Sequence, residues 1–159
     1  MSEPDPIDTY TGYQLRFWFL GIQPVIWRRL LLRADNTLAD LHYAIQITCN
    51  WSDDFLHQFK IHGKNIGVPR IYGIAFSEPA DKLLADLQLY KMNAFMNITS
   101  MSTGSSRSAF EETVALNWRS HYPLCIGGRR AASSEDCGGP AHFNQLCTFF
   151  SLLYLSTTS

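Results

Sequence analysis

The chain has 159 residues, of which 46% are hydrophobic and 13% aromatic, so it holds enough apolar side chain to bury the core of one domain. Its 13 Lys and Arg against 14 Asp and Glu give a formal net charge of -1. That balance excludes a global field that would attract nucleic acid or an anionic membrane, so any such binding needs a local patch. No charged leader precedes an apolar stretch, and the late apolar run from Thr148 to Leu155 is too short to span a bilayer. We therefore expect a cytoplasmic protein with no membrane partner.

The first part of the chain predicts a β-hairpin. Residues 1–12 are polar and aperiodic, so we expect a loose N-terminal segment ahead of a single domain over residues 13–159. Tyr13 to Leu20 alternates apolar and polar side chains, which is the two-residue period of a half-buried strand. Gly21 to Pro24 then turns the chain, and the apolar, arginine-containing run from Val25 to Arg33 predicts an antiparallel partner strand.

A helix and another strand follow this hairpin. Thr37 is a good N-cap, and Asp40 three residues later completes a capping box, so the sequence predicts a helix that ends at Cys49. Residues 55–62 alternate again and predict a strand. Residues 63–65 predict a turn that leads into a further short strand.

The rest of the chain predicts loops that alternate with short elements. A loop is expected over 68–79, and a short helix or turn over 82–89. A hairpin of strands 94–101 and 113–118 around a turn at 104–108 follows. The chain then predicts an irregular glycine-rich loop over 125–140 and a helix or mixed segment over 141–154. Together these elements predict an α+β domain in which a mostly antiparallel sheet packs one face on the helix that begins at Thr37, in a β-grasp-like layout.

Several runs of residues occur in an order and spacing that resembles one known family. They are Tyr13–Leu15, Gly21–Arg29, Thr37–His42, Trp51 and Leu56–Phe59, followed by Asp86–Leu87, Tyr122–Cys125 and Glu135–Pro140. On these runs the chain resembles the plasmid pRiA4b open-reading-frame-three-like family. The resemblance implies a compact α+β domain found on plasmids, in bacterial chromosomes and as a resolvase-like passenger of insertion elements.

The chain departs from that family in two segments. Where members carry Tyr-Asp-Phe-Gly-Asp-Xaa-Trp, residues 97–108 lack the acids and the tryptophan. Where members read Cys-Pro-Pro-Glu-Asp-Cys, residues 132–137 keep only the final Glu-Asp-Cys. The resemblance implies no settled reaction, and a site that depends on the missing groups cannot be carried over to this chain.

The arginine-rich part of the first hairpin is one candidate site. Trp27, Arg28 and Arg29, with Trp18 and Arg33 nearby, could form a basic and aromatic surface that contacts phosphate and stacks a base. The same residues are also typical of a solvated strand that protects a sheet edge from aggregation. The sequence leaves both interpretations open.

The glycine-rich loop is another candidate site. Cys125 and Cys137 could bind zinc together with a nearby histidine, because thiolate and imidazole suit that ion, although no Cys-x-x-Cys pair is present. Glu135 and Asp136 lie in the same loop and are further binding candidates. A structural loop whose acids cap the next helix explains these residues without a metal.

His57 is the last candidate, since the strand period places it on an apolar face, where desolvation can tune a general base. A core histidine with a hydrogen-bond partner is the structural alternative.

Two functions follow from these candidate sites. One is a non-catalytic binding or accessory module of a mobile element that contacts nucleic acid or another protein. The other is a small metal-assisted or acid–base enzyme that uses His57 and the Cys125 to Cys137 loop. We favour the binding module, because the chain has no nucleophile elbow, phosphate-binding glycine loop or His-Glu-x-x-His helix.

Overall fold

The computed structural model describes residues 11–51, 57–67, 78–79, 81–89, 95–100, 104–132 and 140–157. Within these residues the strands are β1 (Thr11–Phe19), β2 (Trp27–Arg33), β3 (His57–Ile61), β4 (Lys64–Gly67), β5 (Glu78–Pro79), β6 (Phe95–Ser100), β7 (Gly104–Ala115) and β8 (Leu124–Arg129). They form one sheet with the order β5-β4-β3-β6-β7-β1-β2-β8. The helices are α1 (Leu38–Thr48) and α2 (Pro140–Thr157), with a 3₁₀ turn at Leu84–Leu87.

Strand β1 is paired on both sides, antiparallel to β2 and to β7. Its alternation decides which face is buried: Leu15 and Phe17 are fully buried, whereas Arg16 and Trp18 on the other face are half-buried. The predicted hairpin is confirmed, although β1 already begins at Thr11. Among the described strands only β4 and β5 pair in parallel. The predicted α+β domain with a mostly antiparallel sheet is therefore confirmed.

Helix α1 packs on the buried face of this sheet. Its predicted capping box is present, since Thr37 Oγ1 accepts a hydrogen bond from the Asp40 amide at 3.1 Å and Asp40 Oδ2 accepts one from the Thr37 amide at 2.8 Å. Leu38 and Leu41 are fully buried in the core that also contains the apolar side chains of β1. The predicted helix is confirmed over Leu38–Thr48.

The second predicted hairpin is present, but its turn and its pairing residues are wrong. β6 pairs antiparallel with residues 104–109 of β7, so residues 104–108, predicted as the turn, form the start of β7, and residues 113–115 pair with β1 instead. Packing explains the difference, because Ser106 and Ser108 are buried opposite Phe19 and Phe17 of β1. Small side chains on β7 leave room for the two large rings. A serine-rich run that resembles a turn locally is therefore a central strand in the fold.

The predicted glycine-rich loop over residues 125–140 is wrong at its start, which forms β8 against β2. Gly127 and Gly128 are covered by the bulky side chains of Trp27 and Arg28 on β2. This tertiary contact overrides the local preference of glycine for loops.

The turn between β3 and β4 lies slightly earlier than residues 63–65. His62 and Gly63 adopt φ values of 49° and 79°, and Lys64 is already the first residue of β4. A left-handed φ at two successive residues is what a tight hairpin turn needs, and glycine meets that need without strain.

The remaining predictions fall on short or undescribed parts of the chain. The short helix predicted over residues 82–89 is confirmed as the 3₁₀ turn. The loop predicted over residues 68–79 lies outside the described residues except for Glu78–Pro79, which is β5. Residues 1–10 and 133–139 also lie outside the described part.

Helix α2 contacts the turn between β1 and β2. Asn144 Nδ2 donates a hydrogen bond to the Gly21 carbonyl at 3.0 Å, and Phe143 packs against the core. Further along, Phe149 and Leu152 are 56% and 62% exposed, so this part of the helix presents an apolar surface to solvent. Over the described residues, no helix combines the length and the hydropathy needed to cross a membrane.

Candidate binding site on the outer face of the sheet

The face of the sheet opposite α1 carries polar and aromatic side chains. It receives Arg16 and Trp18 from β1, since alternate strand residues point to opposite faces. Residues directly opposite in an antiparallel pair share a face, and β2 places Trp27 opposite Trp18 and Arg29 opposite Arg16. The first hairpin alone thus forms a square of two tryptophans and two arginines.

The neighbouring strands extend this square. Arg107 of β7 pairs with Trp18, and Arg129 of β8 pairs with Trp27. A row of two tryptophans with an arginine at each end therefore crosses four strands, beside a second row that contains the other two arginines. We call this surface the Arg–Trp face; it consists of Arg16, Trp18, Trp27, Arg29, Arg107 and Arg129.

Stacking holds the tryptophan rings in place on the Arg–Trp face. The Arg16 guanidinium carbon lies 5.8 Å from the Trp18 ring centroid and 5.1 Å from that of Trp27. The Arg29 guanidinium carbon also lies 5.1 Å from the Trp27 centroid. Each such cation–π contact is worth about 0.5–1 kcal/mol at an exposed site. A methyl group at Gly127 would lie 3.6 Å from the Trp27 ring, so the ring lies across that glycine. Side chains held in this way lose less entropy when a ligand binds.

One carboxylate is built into the Arg–Trp face. The β1–β7 register shifts between Gln14 and Leu15, which makes Glu111 the extra residue of a β-bulge. Glu111 Oε2 accepts hydrogen bonds from Arg29 Nε at 2.7 Å and from Gln14 Nε2 at 2.8 Å, and its Oε1 accepts one from Arg29 Nη2 at 3.0 Å. The hydrogen bond from Arg29 is the main reason that the pKa of Glu111 is lowered. Glu111 is therefore ionised at neutral pH and offsets the charge of Arg29.

The Arg–Trp face stays positive after this ion pair. Glu112 lies opposite Gln14 on the same side of the sheet. Counted over the described residues, four arginines against two carboxylates leave a formal charge of +2. The Nε atom of Arg16 is buried and has no hydrogen-bond partner within the described residues, and the stacked tryptophans are its near neighbours. A chain with a net negative charge thus carries a local basic and aromatic patch.

The structure separates three residues that sequence analysis places on one surface. Trp27 and Arg29 lie on the Arg–Trp face, but Arg28 points to the other side, where its register partners are Phe17 and Gly128. Arg28 does not belong to the patch, because consecutive strand residues must alternate between faces. Its Nη1 donates hydrogen bonds to the main-chain carbonyls of Trp27 at 2.8 Å and Arg129 at 3.3 Å.

The enzyme hypothesis needs His57 beside the glycine-rich loop. His57 is in β3 and Cys125 is in β8, and four strands separate β3 from β8 in the sheet. Five spacings of about 4.8 Å put the two backbones roughly 24 Å apart along the sheet. Glu135 and Asp136 lie outside the described residues. The described part of the chain therefore does not bring His57 and Cys125 into one site.

The zinc hypothesis concerns Cys125 and Cys137. Cys125 is exposed on β8, and its thiol donates a hydrogen bond to the Gly127 carbonyl at 3.4 Å. Cys137 lies outside the described residues. Where the chain is described, no group of three or more His, Cys, Asp or Glu side chains could hold a metal ion. Zinc binding by the two cysteines stays a prediction.

Three of the six residues of the Arg–Trp face, Arg16, Arg107 and Arg129, are not among the candidates that the sequence indicates. A signal for Arg16 exists, because Arg16-x-Trp18 and Trp27-x-Arg29 are mirror images across the hairpin turn, so the correct register brings like residues together. Arg107 and Arg129 have no such signal. Their strands meet the hairpin only through the tertiary fold.

Comparison with known proteins agrees with this fold. The crystal structure of a protein of unknown function, MM3350 from Methanosarcina mazei Go1, matches with a TM-score of 0.78 and 26% sequence identity, over 89% of this chain and 82% of that chain. No match is found among curated proteins. The family described as plasmid pRiA4b ORF-3-like protein matches residues 11–103, which is more than half of the chain and includes the first hairpin and α1. The chain therefore belongs to the plasmid pRiA4b ORF-3-like protein family.

Proposed function

We propose that this protein is a non-catalytic binding module whose Arg–Trp face takes single-stranded nucleic acid. Bases stack on Trp18 and Trp27, and backbone phosphates contact the arginines that flank them. The observation that carries the proposal is the row of two tryptophans between Arg107 and Arg129 across four neighbouring strands.

The chemistry of this row fits unpaired bases. A base that stacks on an aromatic side chain contributes about 1–3 kcal/mol, whatever its identity, because every base has a π-face. Exposed sheet surfaces that carry aromatic residues are a recurrent platform for splayed single-stranded bases. The arginines add phosphate contacts along the row of tryptophans. The planar guanidinium group presents several N–H donors in a fixed geometry that suits phosphate oxygens.

Electrostatics predicts modest, salt-sensitive affinity. Of the four arginines, Arg29 is paired with Glu111, and we count Arg16 and Arg129 as the phosphate contacts. Two contacts to a single strand give a slope of log affinity against log salt of about -1.4. Binding of this strength suits an accessory module of the plasmids and insertion elements that the family resemblance implies.

The direct test is fluorescence anisotropy of a labelled oligothymidylate with the full chain across a salt series. Trp27→Ala should weaken binding about five- to hundredfold, in line with the loss of one stacked base. Trp118 is a matched control, since it is 70% exposed and also stacks with an arginine, Arg119, at 4.8 Å.

The control lies well away from the row of tryptophans. Trp118 follows the end of β7 at Ala115, whereas the row meets β7 at Arg107; the eight residue steps from Arg107 to Ala115 span about 26 Å of extended strand. Trp118→Ala should therefore leave binding unchanged. Absence of binding at low salt, or an equal loss in Trp27→Ala and Trp118→Ala, would overturn the proposal.

A further inference from the structure

A groove at the edge of the sheet carries charges that the Arg–Trp face does not account for. It has a volume of about 330 Å³ and lies beside β8, the last strand of the sheet. We call it the edge groove; it is lined by Arg28, Cys125, Gly127, Gly128, Arg129 and Arg130. Among the described residues that line this space, three are arginines and none is a carboxylate.

Neutral acceptors hold two of the three guanidinium groups. Arg28 Nη1 donates to the main-chain carbonyls of Trp27 and Arg129, and Arg130 Nη1 donates to that of Pro24. Ion pairs among the described residues join Arg29 to Glu111 and Arg33 to Asp35, and neither involves the groove. Within the described part of the chain, the guanidiniums are therefore positioned by partners that leave their positive charge uncompensated.

The backbone of the groove is shaped to bring these groups together. A methyl group at Gly128 would lie 2.8 Å from Arg28 Cδ and 2.8 Å from the Trp27 carbonyl oxygen, so only glycine lets Arg28 lie against β8. Arg130 has a φ of 65°, a left-handed conformation that is uncommon for a residue with a side chain. It changes the direction of the chain directly after β8 ends at Arg129.

We propose that the edge groove is a phosphate site that holds a backbone phosphate of the strand bound on the Arg–Trp face. Arg129 joins the two surfaces, because it pairs with Trp27 on the outer face and also lines the groove. A strand whose base stacks on Trp27 meets Arg129 next and then the groove. Guanidinium groups bind phosphate oxygens through paired charge-assisted hydrogen bonds, which are stronger than those between neutral groups. This inference rests on the proposed function. It specifies that the bound strand leaves the Arg–Trp face past Arg129 and over the edge groove.

The test uses inorganic pyrophosphate and the labelled oligothymidylate as separate probes of the full chain. Calorimetry should detect pyrophosphate binding that weakens with salt. Arg130→Gln and Arg129→Gln should each weaken it about tenfold or more, the loss expected for a charged hydrogen bond. Arg119→Gln removes the same charge elsewhere and should change nothing. Arg129→Gln also guards against a folding artefact, because the described residues offer the Arg129 side chain no hydrogen bond or ion pair to lose. Unfolding midpoints by circular dichroism verify that each variant is folded.

The outcomes separate this inference from the proposed function. If Arg130→Gln weakens both probes, the groove is the phosphate site of the bound strand. If the oligothymidylate binds and neither probe responds to Arg130→Gln, the groove inference is wrong and the Arg–Trp face stands. If pyrophosphate binds through Arg130 but no oligothymidylate binds, the nucleic-acid function falls, and with it the assignment of the groove to a strand. No pyrophosphate binding by the intact protein also overturns the inference.

Discussion

Removing the carboxylate of Glu111 should strengthen nucleic-acid binding. Glu111→Gln removes the ion pair with Arg29 and raises the formal charge of the Arg–Trp face from +2 to +3. For a single strand, one additional phosphate contact steepens the slope of log affinity against log salt by about 0.7. By the same relation the variant should bind about fivefold more tightly at roughly 0.1 M salt.

The same substitution should cost little stability. The side chains of Arg29 and Glu111 are 34% and 23% exposed, and ion pairs near the surface contribute about 0–1 kcal/mol to the free energy of unfolding. The contact lowers the pKa of Glu111, so its stabilisation is complete above the unfolded pKa and is lost as the pH falls through the folded pKa. The unfolding free energies of the wild type and Glu111→Gln should therefore converge in acid.

Anisotropy titrations at several salt concentrations measure both the affinity and the slope. Asp86→Asn is the matched control, because it removes one exposed carboxylate from the 3₁₀ turn and changes the net charge of the chain equally. An unchanged slope in Glu111→Gln would refute the reasoning. An equal gain in Asp86→Asn would attribute the effect to net charge instead of to the Arg–Trp face.

Other substitutions and reagents test the fold around the site. Thr37→Ala removes the N-cap of α1 and should lower the free energy of unfolding in urea by about 1 kcal/mol; a wild-type value would contradict the capping box. Gly128→Ala puts a methyl group 2.8 Å from a main-chain oxygen of β2, whereas at Gly127 the nearest atom is 3.6 Å away, so only Gly128→Ala should lower the thermal midpoint clearly. Equal midpoints would argue against this register of β8. Burial raises the pKa of Cys49 to about 12, which leaves a thiolate fraction on the order of 10⁻⁴ at pH 8. Alkylation of the native protein, followed by mass spectrometry, should therefore label exposed Cys125 long before Cys49, and the reverse order would contradict the buried position.

Local patterns are sufficient to predict the first hairpin and α1. The two-residue period from Tyr13 onward and the Thr37–Asp40 capping box depend only on neighbours in the sequence. Both features are present in the fold. The mirror-image placement of arginine and tryptophan on either side of the connection at residues 20–26 is also visible in the sequence, and the β1–β2 register brings these like residues together.

Strands β7 and β8 could not be predicted in the same way. Ser106 and Ser108 suit a strand only because phenylalanines from β1 lie opposite them, and Gly127 and Gly128 suit one only because β2 covers them. The residues that provide these contacts are distant in the sequence. The same limit hid Arg107 and Arg129, whose place on the Arg–Trp face depends on strands that meet β1 and β2 after a long connection.

The central residues of the Arg–Trp face and the residues at its two ends come from different segments of the chain. Its four central residues come from one hairpin inside residues 11–103, the segment that matches the family, whereas Arg107 and Arg129 lie beyond that segment. In the proposed complex, stacking depends on the hairpin, and phosphate contact depends largely on the ends. Changes in β7 or β8 should therefore alter the affinity of the Arg–Trp face for the phosphates of the strand and leave the stacking of bases unchanged.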